Sequence, residues 1–183
     1  FGEYKATRQK MPEDMAATME TLKEVVRAFN VPTLELPGYE ADDIIGTLAR
    51  RAEASGVLTY MVTADKDFMQ LITPRIKMYR PGKAGEAPEV IEEQGVKAKF
   101  GVTPERVVDV LALIGDKSDN IPGVPGVGEK TAIPLIQRYG TVEEVYRKLD
   151  EIPQAGLRER LRNHRDMALL SKKLATIATD TPI

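Results

Sequence analysis

The sequence has no cysteine and a single histidine, His164. The first absence removes disulfides and thiolate metal sites. The second leaves little for zinc, whose sites draw on cysteine and histidine; His164 lies far from every acid cluster and reads as a surface helix residue. There is no Cys/His or Ser/His constellation for nucleophilic catalysis. No apolar run approaches the roughly 18 residues of a membrane-spanning helix, so no membrane partner is expected. No secretory h-region opens the chain, which begins Phe1-Gly-Glu-Tyr-Lys5. It begins without methionine, and processing, trimming or a fragment of a longer protein is expected. The basic excess common among nucleic-acid binders is also missing: the formal net charge is −2.

What remains is an ordinary soluble composition, 183 residues and 42% apolar. That length suits one domain with a core and a small helical appendage. A cytosolic setting fits the lack of cysteine.

Pro12-Glu13-Asp14 is a helix start, and Met15, Met19, Leu22, Val26 and Phe29 recur at helical steps to about Phe29. Residues 31–36 read as a short strand. Residues 40–55 read as a helix with acid in its first turn and Gly56 just past its end. A buried-type strand over 57–63, a short helix over 65–72, a strand over 75–79 and a loop over 81–88 follow. This alternation predicts a parallel sheet flanked by helices. From about residue 91 every segment reads as helix: 92–100, 103–114, 129–139, one opened by the capping box Thr141-Val-Glu-Glu144, then 156–164 and 165–176. The expected division is an α/β part over 1–100 and a helical part over 101–183.

Seven carboxylates fall in three clusters: Glu40, Asp42 and Asp43; Asp65 and Asp67; Asp116 and Asp119. Each cluster alone has a plain explanation. Acid at a helix start complements the macrodipole, Asp65 suits an N-cap, and Asp116 and Asp119 suit a polar loop. Together they lie at strand and helix ends, where an α/β fold gathers ligands. Carboxylates brought close repel one another and raise each other's pKa, an expense that cations offset. Hard oxygen donors suit Mg²⁺, with Mn²⁺ as its substitute, and two such ions can clamp a phosphodiester displacement.

Gly123-Val-Pro-Gly126-Val-Gly128-Glu-Lys130-Thr131-Ala132 joins two helices. The spacing is neither a nucleotide P-loop nor a dinucleotide fingerprint. A tight Gly-x-Gly between helices is a helix-hairpin-helix pattern, placed at about 112–140. It would hold DNA backbone without reading sequence, through Gly123, Val124, Gly126, Val127, Gly128 and Thr131, with Lys130 adding charge.

The runs Gly38-Tyr-Glu-Ala-Asp-Asp43, Thr63-Ala-Asp-Lys-Asp67, Gly115-Asp-Lys-Ser-Asp-Asn120 and Pro122–Ala132 resemble the signatures of the structure-specific 5′-nucleases, which include flap endonucleases. The likeness is strongest to the 5′→3′ exonuclease domains of bacterial DNA polymerase I, and it spans the chain. It implies a PIN-like core with a helical part carrying the helix-hairpin-helix. It implies that Glu40, Asp42, Asp43, Asp65, Asp67, Asp116 and Asp119 surround two Mg²⁺ ions. Tyr4-Lys5-x-x-Arg8 resembles the end of the family's helical arch, with Lys5 and Arg8 steadying the scissile phosphate; without the resemblance these two read as a solvated basic end. A potassium ion at the hairpin and a 5′-flap or nicked-duplex DNA partner are implied, as are a bacterial cytoplasmic setting, a monomer and a polymerase domain following in the full-length protein. One departure stands out: the family's first strand and two further acids have no counterpart in residues 1–10. The implied activity is hydrolysis of DNA at single/double-strand junctions. The rivals are a non-catalytic DNA-binding fragment, which has no use for seven acids, and a Mg²⁺-dependent phosphatase, which has no use for a DNA clamp.

Overall fold

The computed structural model describes residues 2–183. Helix α1, Glu13–Ala28, begins after Pro12 with Glu13 and Asp14 in its first turn. None of its residues is buried, and Met15, Leu22, Val25 and Phe29 are exposed. The amphipathic stripe is present, but no described element covers it. The strand expected over 31–36 does not form. Pro32 removes a ladder donor, and Val31 and Leu34 stay half-exposed with no partner strand.

Helix α2, Ala41–Ala54, is capped by Glu40 and ends before Gly56, whose φ of +76° suits glycine. Ile44, Gly46, Thr47 and Ala49 face inward. Strand β1, Thr59–Val62, is half-buried: Met61 faces the core, while Tyr60 and Val62 point to the opposite face of the sheet and are exposed. A short 3₁₀ helix, Lys66–Leu71, sinks Phe68, Met69 and Leu71 into the core. Strand β2, Ile76–Arg80, pairs parallel to β1, with Thr59 opposite Ile76 and Met61 opposite Met78.

The third strand is not the expected one. Strand β3, Glu89–Ile91, returns antiparallel to β2, so the sheet is mixed, with order β1-β2-β3. Three residues between a loop and a helix carry too little pattern to read. Their pairing is made by the loop, and Arg80 and Glu89 form an ion pair at its base.

Helix α3, Glu93–Phe100, ends at Gly101 in the left-handed region. Helix α4, Val107–Ile114, is apolar on nearly every side and becomes the hub. Around it pack α5 (Glu129–Tyr139), α6 (Val142–Arg147) and α8 (Arg165–Ala175), while α7 (Ala155–Asn163) packs on the 3₁₀ turn Leu149–Glu151. The exception on α4 is Asp109, which is 1% exposed. It accepts from the Val142 amide at 2.9 Å and pairs with Lys172 at 2.7 Å, so its charge is fully partnered. The apolar residues of both halves form one continuous core. Among the described residues no helix is long and apolar enough to cross a membrane.

Candidate functional site

Three acid clusters meet where α2, the β1 exit and the α4 exit converge. Glu40 caps α2, and its amide donates to Asp43 Oδ2 at 3.3 Å, one half of a capping box. Asp65 caps the 3₁₀ helix and accepts from the Asp67 amide at 2.9 Å. Asp116 and Asp119 lie in the loop after α4, which is pinned by a two-way bridge between Asp116 and Ile121 at 2.9 and 2.7 Å. Glu40, Asp42, Asp43, Asp67 and Asp119 line one cleft of about 270 Å³, walled opposite by residues 173–178. Asp65 and Asp116 flank it through Asp67 and Lys66.

Basic side chains already occupy part of this acid. Lys5 pairs with Glu40 and lies 3.8 Å from Asp119; its own amide donates to the Asp119 carbonyl at 2.9 Å. Arg8 pairs with Asp119, with Nε 3.2 Å from Oδ1. Lys66 sits 2.6 Å from Asp116. Burial would raise the Asp116 carboxyl, but Lys66 and the two donors of Ser118 outweigh it and hold the pKa below the usual range. Burial likewise lowers Lys5, and its bonds to Glu40 and Tyr4 more than reverse this.

Two acids have no such help. Burial first, then repulsion from Asp65 and Glu40, raises Asp42. Burial and the neighbouring Asp65 push Asp67 up to about 7. Asp67 Oδ1 is buried with no hydrogen-bond partner. An orphaned buried carboxylate oxygen is the group a hard cation would satisfy. Among the described residues no three acids already converge on one ion position. The donor chemistry fits divalent ions, but the side chains must shift to take them, and Lys5 stands between Glu40 and Asp119.

The glycine-rich turn follows four residues after Asp119. Gly115 and Gly123 pack backbone to backbone: a Cβ on Gly123 would lie 2.4 Å from the Gly115 nitrogen, and φ at Gly123 is +61°. The Gly123 amide donates to buried Ser171 at 2.9 Å, so it is spent inside the protein. Val124 and Val127 are buried anchors. Gly126, Gly128 and Lys130 are exposed, and Thr131 half-exposed. The amides of Gly128, Glu129 and Lys130, at the start of α5, have no partner among the described residues and face outward. Sequence reasoning thus places seven residues in the turn; the structure offers some as outward donors and uses others as internal fasteners.

Other residues emerge only from the fold. Arg160 on α7 reaches the turn and donates to the Gly126 carbonyl at 3.1 Å. With Lys130 and Arg138 it lines a cleft of about 480 Å³ beside α5. Lys66 was readable only as the residue between two aspartates. Nothing local in the sequence marks Arg160 or Ser171.

Residues 1–101 match the 5′-3′ exonuclease N-terminal resolvase-like domain, and residues 102–183 match the 5′-3′ exonuclease C-terminal SAM fold. DNA polymerase I of Bacillus caldotenax is 49% identical over 183 residues, covering 100% of this chain and 21% of that protein. The Bacillus subtilis polymerase is 45% identical with the same coverage, and the thermostable Thermus filiformis enzyme 42% identical over 98% of this chain and 21% of its own length. The chain therefore spans about a fifth of these relatives. Bacteriophage T5 5′-exonuclease with bound zinc superposes with TM-score 0.80 at 22% identity, over 98% of this chain and 69% of that one. The catalytic core of Rad2 in complex with a DNA substrate gives 0.59 at 18% identity, over 95% and 58%. These likenesses carry the fold, and the two domain matches together cover every residue: the chain belongs to the 5′-3′ exonuclease family.

Proposed function

We propose that this chain is a metal-dependent 5′-nuclease domain that hydrolyses DNA phosphodiesters where single strand meets duplex. One observation carries the reading. A cleft lined by acids from three separate elements holds a buried, unpartnered Asp67 oxygen, one loop away from a turn with outward amides. A polymerase region in the longer protein is supported by the bacterial relatives, since each is a DNA polymerase I of which this chain matches about a fifth; a cytoplasmic setting belongs to the same proposal.

Glu40, Asp42, Asp65, Asp67, Asp116 and Asp119 would hold two Mg²⁺ ions, with Mn²⁺ able to substitute. Asp43 lines the same cleft, but its carboxylate is already engaged. Divalent ions supply a water of lowered pKa and neutralise charge on a phosphoryl oxygen. Lys5 and Arg8 stand at the rim with their charges held on, so a phosphodiester entering the cleft meets both cations. Their positive charge then offsets the charge that grows on the phosphate during displacement. The amides of Gly128, Glu129 and Lys130, with the Lys130 side chain, hold duplex phosphates without regard to sequence. A potassium ion on the carbonyls of this turn belongs to the same proposal.

The test is cleavage of an end-labelled 5′-flap DNA with Mg²⁺ and with EDTA, beside a 3′-flap control and a binding assay. Metal-dependent cutting of the 5′ flap alone is expected; cutting that survives EDTA would refute it. A DNA-binding domain without chemistry is the second reading. It is favoured by the absence, among the described residues, of three acids already converged on an ion position. Asp67→Ala separates the two: the nuclease loses cutting and keeps binding, while a pure binder is unchanged.

A further inference from the structure

We propose that Asp43 is a positioning residue and not an ion ligand: its carboxylate fastens the C-terminal strap, residues 176–183, to α2 and so sets the wall of the acid cleft. The inference rests on reading that cleft as a metal site. Both Asp43 oxygens accept backbone amides. Oδ1 takes the Ala178 N–H at 2.9 Å and Oδ2 takes the Glu40 N–H at 3.3 Å. Each oxygen keeps a second lone pair. An ion drawing on Asp43 would nonetheless weaken two bonds to peptide N–H groups fixed in the fold. One oxygen of Asp116 is instead held by the Lys66 side chain, which can swing away. The contrast is Asp67, whose Oδ1 is buried and free.

The strap lies along a single face of α2. Asp43, Gly46, Thr47 and Arg51 share that face by spacing. At Gly46 a Cβ would lie 2.8 Å from the Ile177 side chain and 3.2 Å from the Ala178 carbonyl, so the strap occupies the space a side chain would need. Thr47 Oγ1 accepts from the Thr181 amide at 3.1 Å, and Arg51 donates to the Thr181 carbonyl at 3.1 Å. From the 3₁₀ helix, Gln70 closes the other end: it donates to the Ala175 carbonyl at 2.9 Å and accepts from the Ile177 amide at 3.1 Å. The strap thus ties the helix that carries Glu40 and Asp42 to the turn that carries Asp65 and Asp67. Of these bonds, the one from Asp43 ties Ala178, the last strap residue lining the cleft, directly to the helix that carries Glu40 and Asp42.

The experiment uses isotope-labelled 183-residue chain, with Asp43→Ala, Asp43→Asn and Asp42→Ala beside it. Amide exchange at Ala178 is followed in EDTA, and Mn²⁺ uptake by titration calorimetry. Exchange at Ala178 should quicken at least roughly tenfold in Asp43→Ala, the weight of a bond to a charged acceptor. It should quicken less in Asp43→Asn, which keeps one acceptor oxygen, and not in Asp42→Ala. The number of Mn²⁺ ions should stay at the wild-type value in both Asp43 variants, with affinity weakened about 10- to 100-fold as for residues that orient ligands. Asp42→Ala should lose an ion. Unchanged exchange in Asp43→Ala overturns the proposal, and so does loss of one ion in both Asp43 variants. If Asp43→Ala does not fold, Asp43→Asn carries both measurements. A wild-type chain that takes up no Mn²⁺ refutes the metal reading, while exchange at Ala178 still decides the clamp.

Discussion

Replacing Asp67 with Asn should make the metal-free protein more stable at neutral pH. The Asp67 carboxyl is held at about 7 instead of 3.8, through burial first and Asp65 second. At about 1.4 kcal/mol per tenfold, holding it ionised disfavours the fold by about 4 kcal/mol at most. The side chain is not fully enclosed, so solvent screening reduces this to about 2 kcal/mol. The sign follows from proton linkage. A raised folded pKa means that the folded state binds the proton more tightly than the unfolded chain. Stability from this group is therefore highest below about pH 4, falls as pH rises towards 7, and is lowest above it. Asn is neutral throughout and escapes the loss. Urea melts in EDTA at about pH 4 and about pH 8 test this. Wild type and Asp67→Asn should differ little at the lower pH. At the higher one the variant should be more stable by about 2 kcal/mol, a rise of roughly 4–8 °C in Tm for a chain of this size. Adding Mn²⁺ should reverse the order, because only wild type keeps an anionic carboxylate to meet the ion. A variant no more stable than wild type at pH 8, or a difference that ignores pH, would refute the reasoning.

Gly123→Ala should destabilise by about 3 kcal/mol or more in chemical denaturation, since its Cβ meets the Gly115 backbone at a positive φ. Ser171→Ala strips the acceptor from the buried Gly123 amide and should cost about 1–3 kcal/mol in the same melts. Lys130→Ala should leave stability within about 0.5 kcal/mol. It should weaken duplex binding and reduce the salt slope of log K by about 1, read from fluorescence anisotropy over a salt series.

The long helices were legible because several signals agreed. Glu13–Ala28, Ala41–Ala54 and Glu129–Tyr139 each combine periodic apolar residues with acid in the first turn. The mis-assigned strand had only composition behind it. Residues 31–36 alternate plausibly, but a strand exists through its partner, and none of the described strands lies beside it. The antiparallel β3 was invisible for the opposite reason: three residues hold no period, and the pairing is decided by the turn from Arg80 to Glu89. At the site, acid clusters could be found by spacing alone. Their counter-ions could not, because Lys5 meets Glu40 across 35 residues and Arg8 meets Asp119 across 111.

The metal-free cleft is therefore best understood as a set of acids in two electrostatic conditions. Asp116, Asp119 and Glu40 have their charge met by Lys66, Arg8 and Lys5. Asp42 and Asp67 have theirs unmet, and both respond by holding protons more tightly. The division does not follow burial: paired Asp116 is buried, while Asp42 and Asp67 are only partly so. It follows the reach of the basic side chains on residues 5, 8 and 66, which meet Glu40, Asp119 and Asp116 and leave the buried Asp67 Oδ1 without a partner. A small hard cation can reach a buried oxygen that a lysine head does not, since it needs no aliphatic stem alongside it. The unpaired acids thus favour ions over side chains. The cleft therefore keeps two acids uncompensated for cations while its lysines and arginine stay charged beside them, the two charges that the proposed phosphodiester hydrolysis would need.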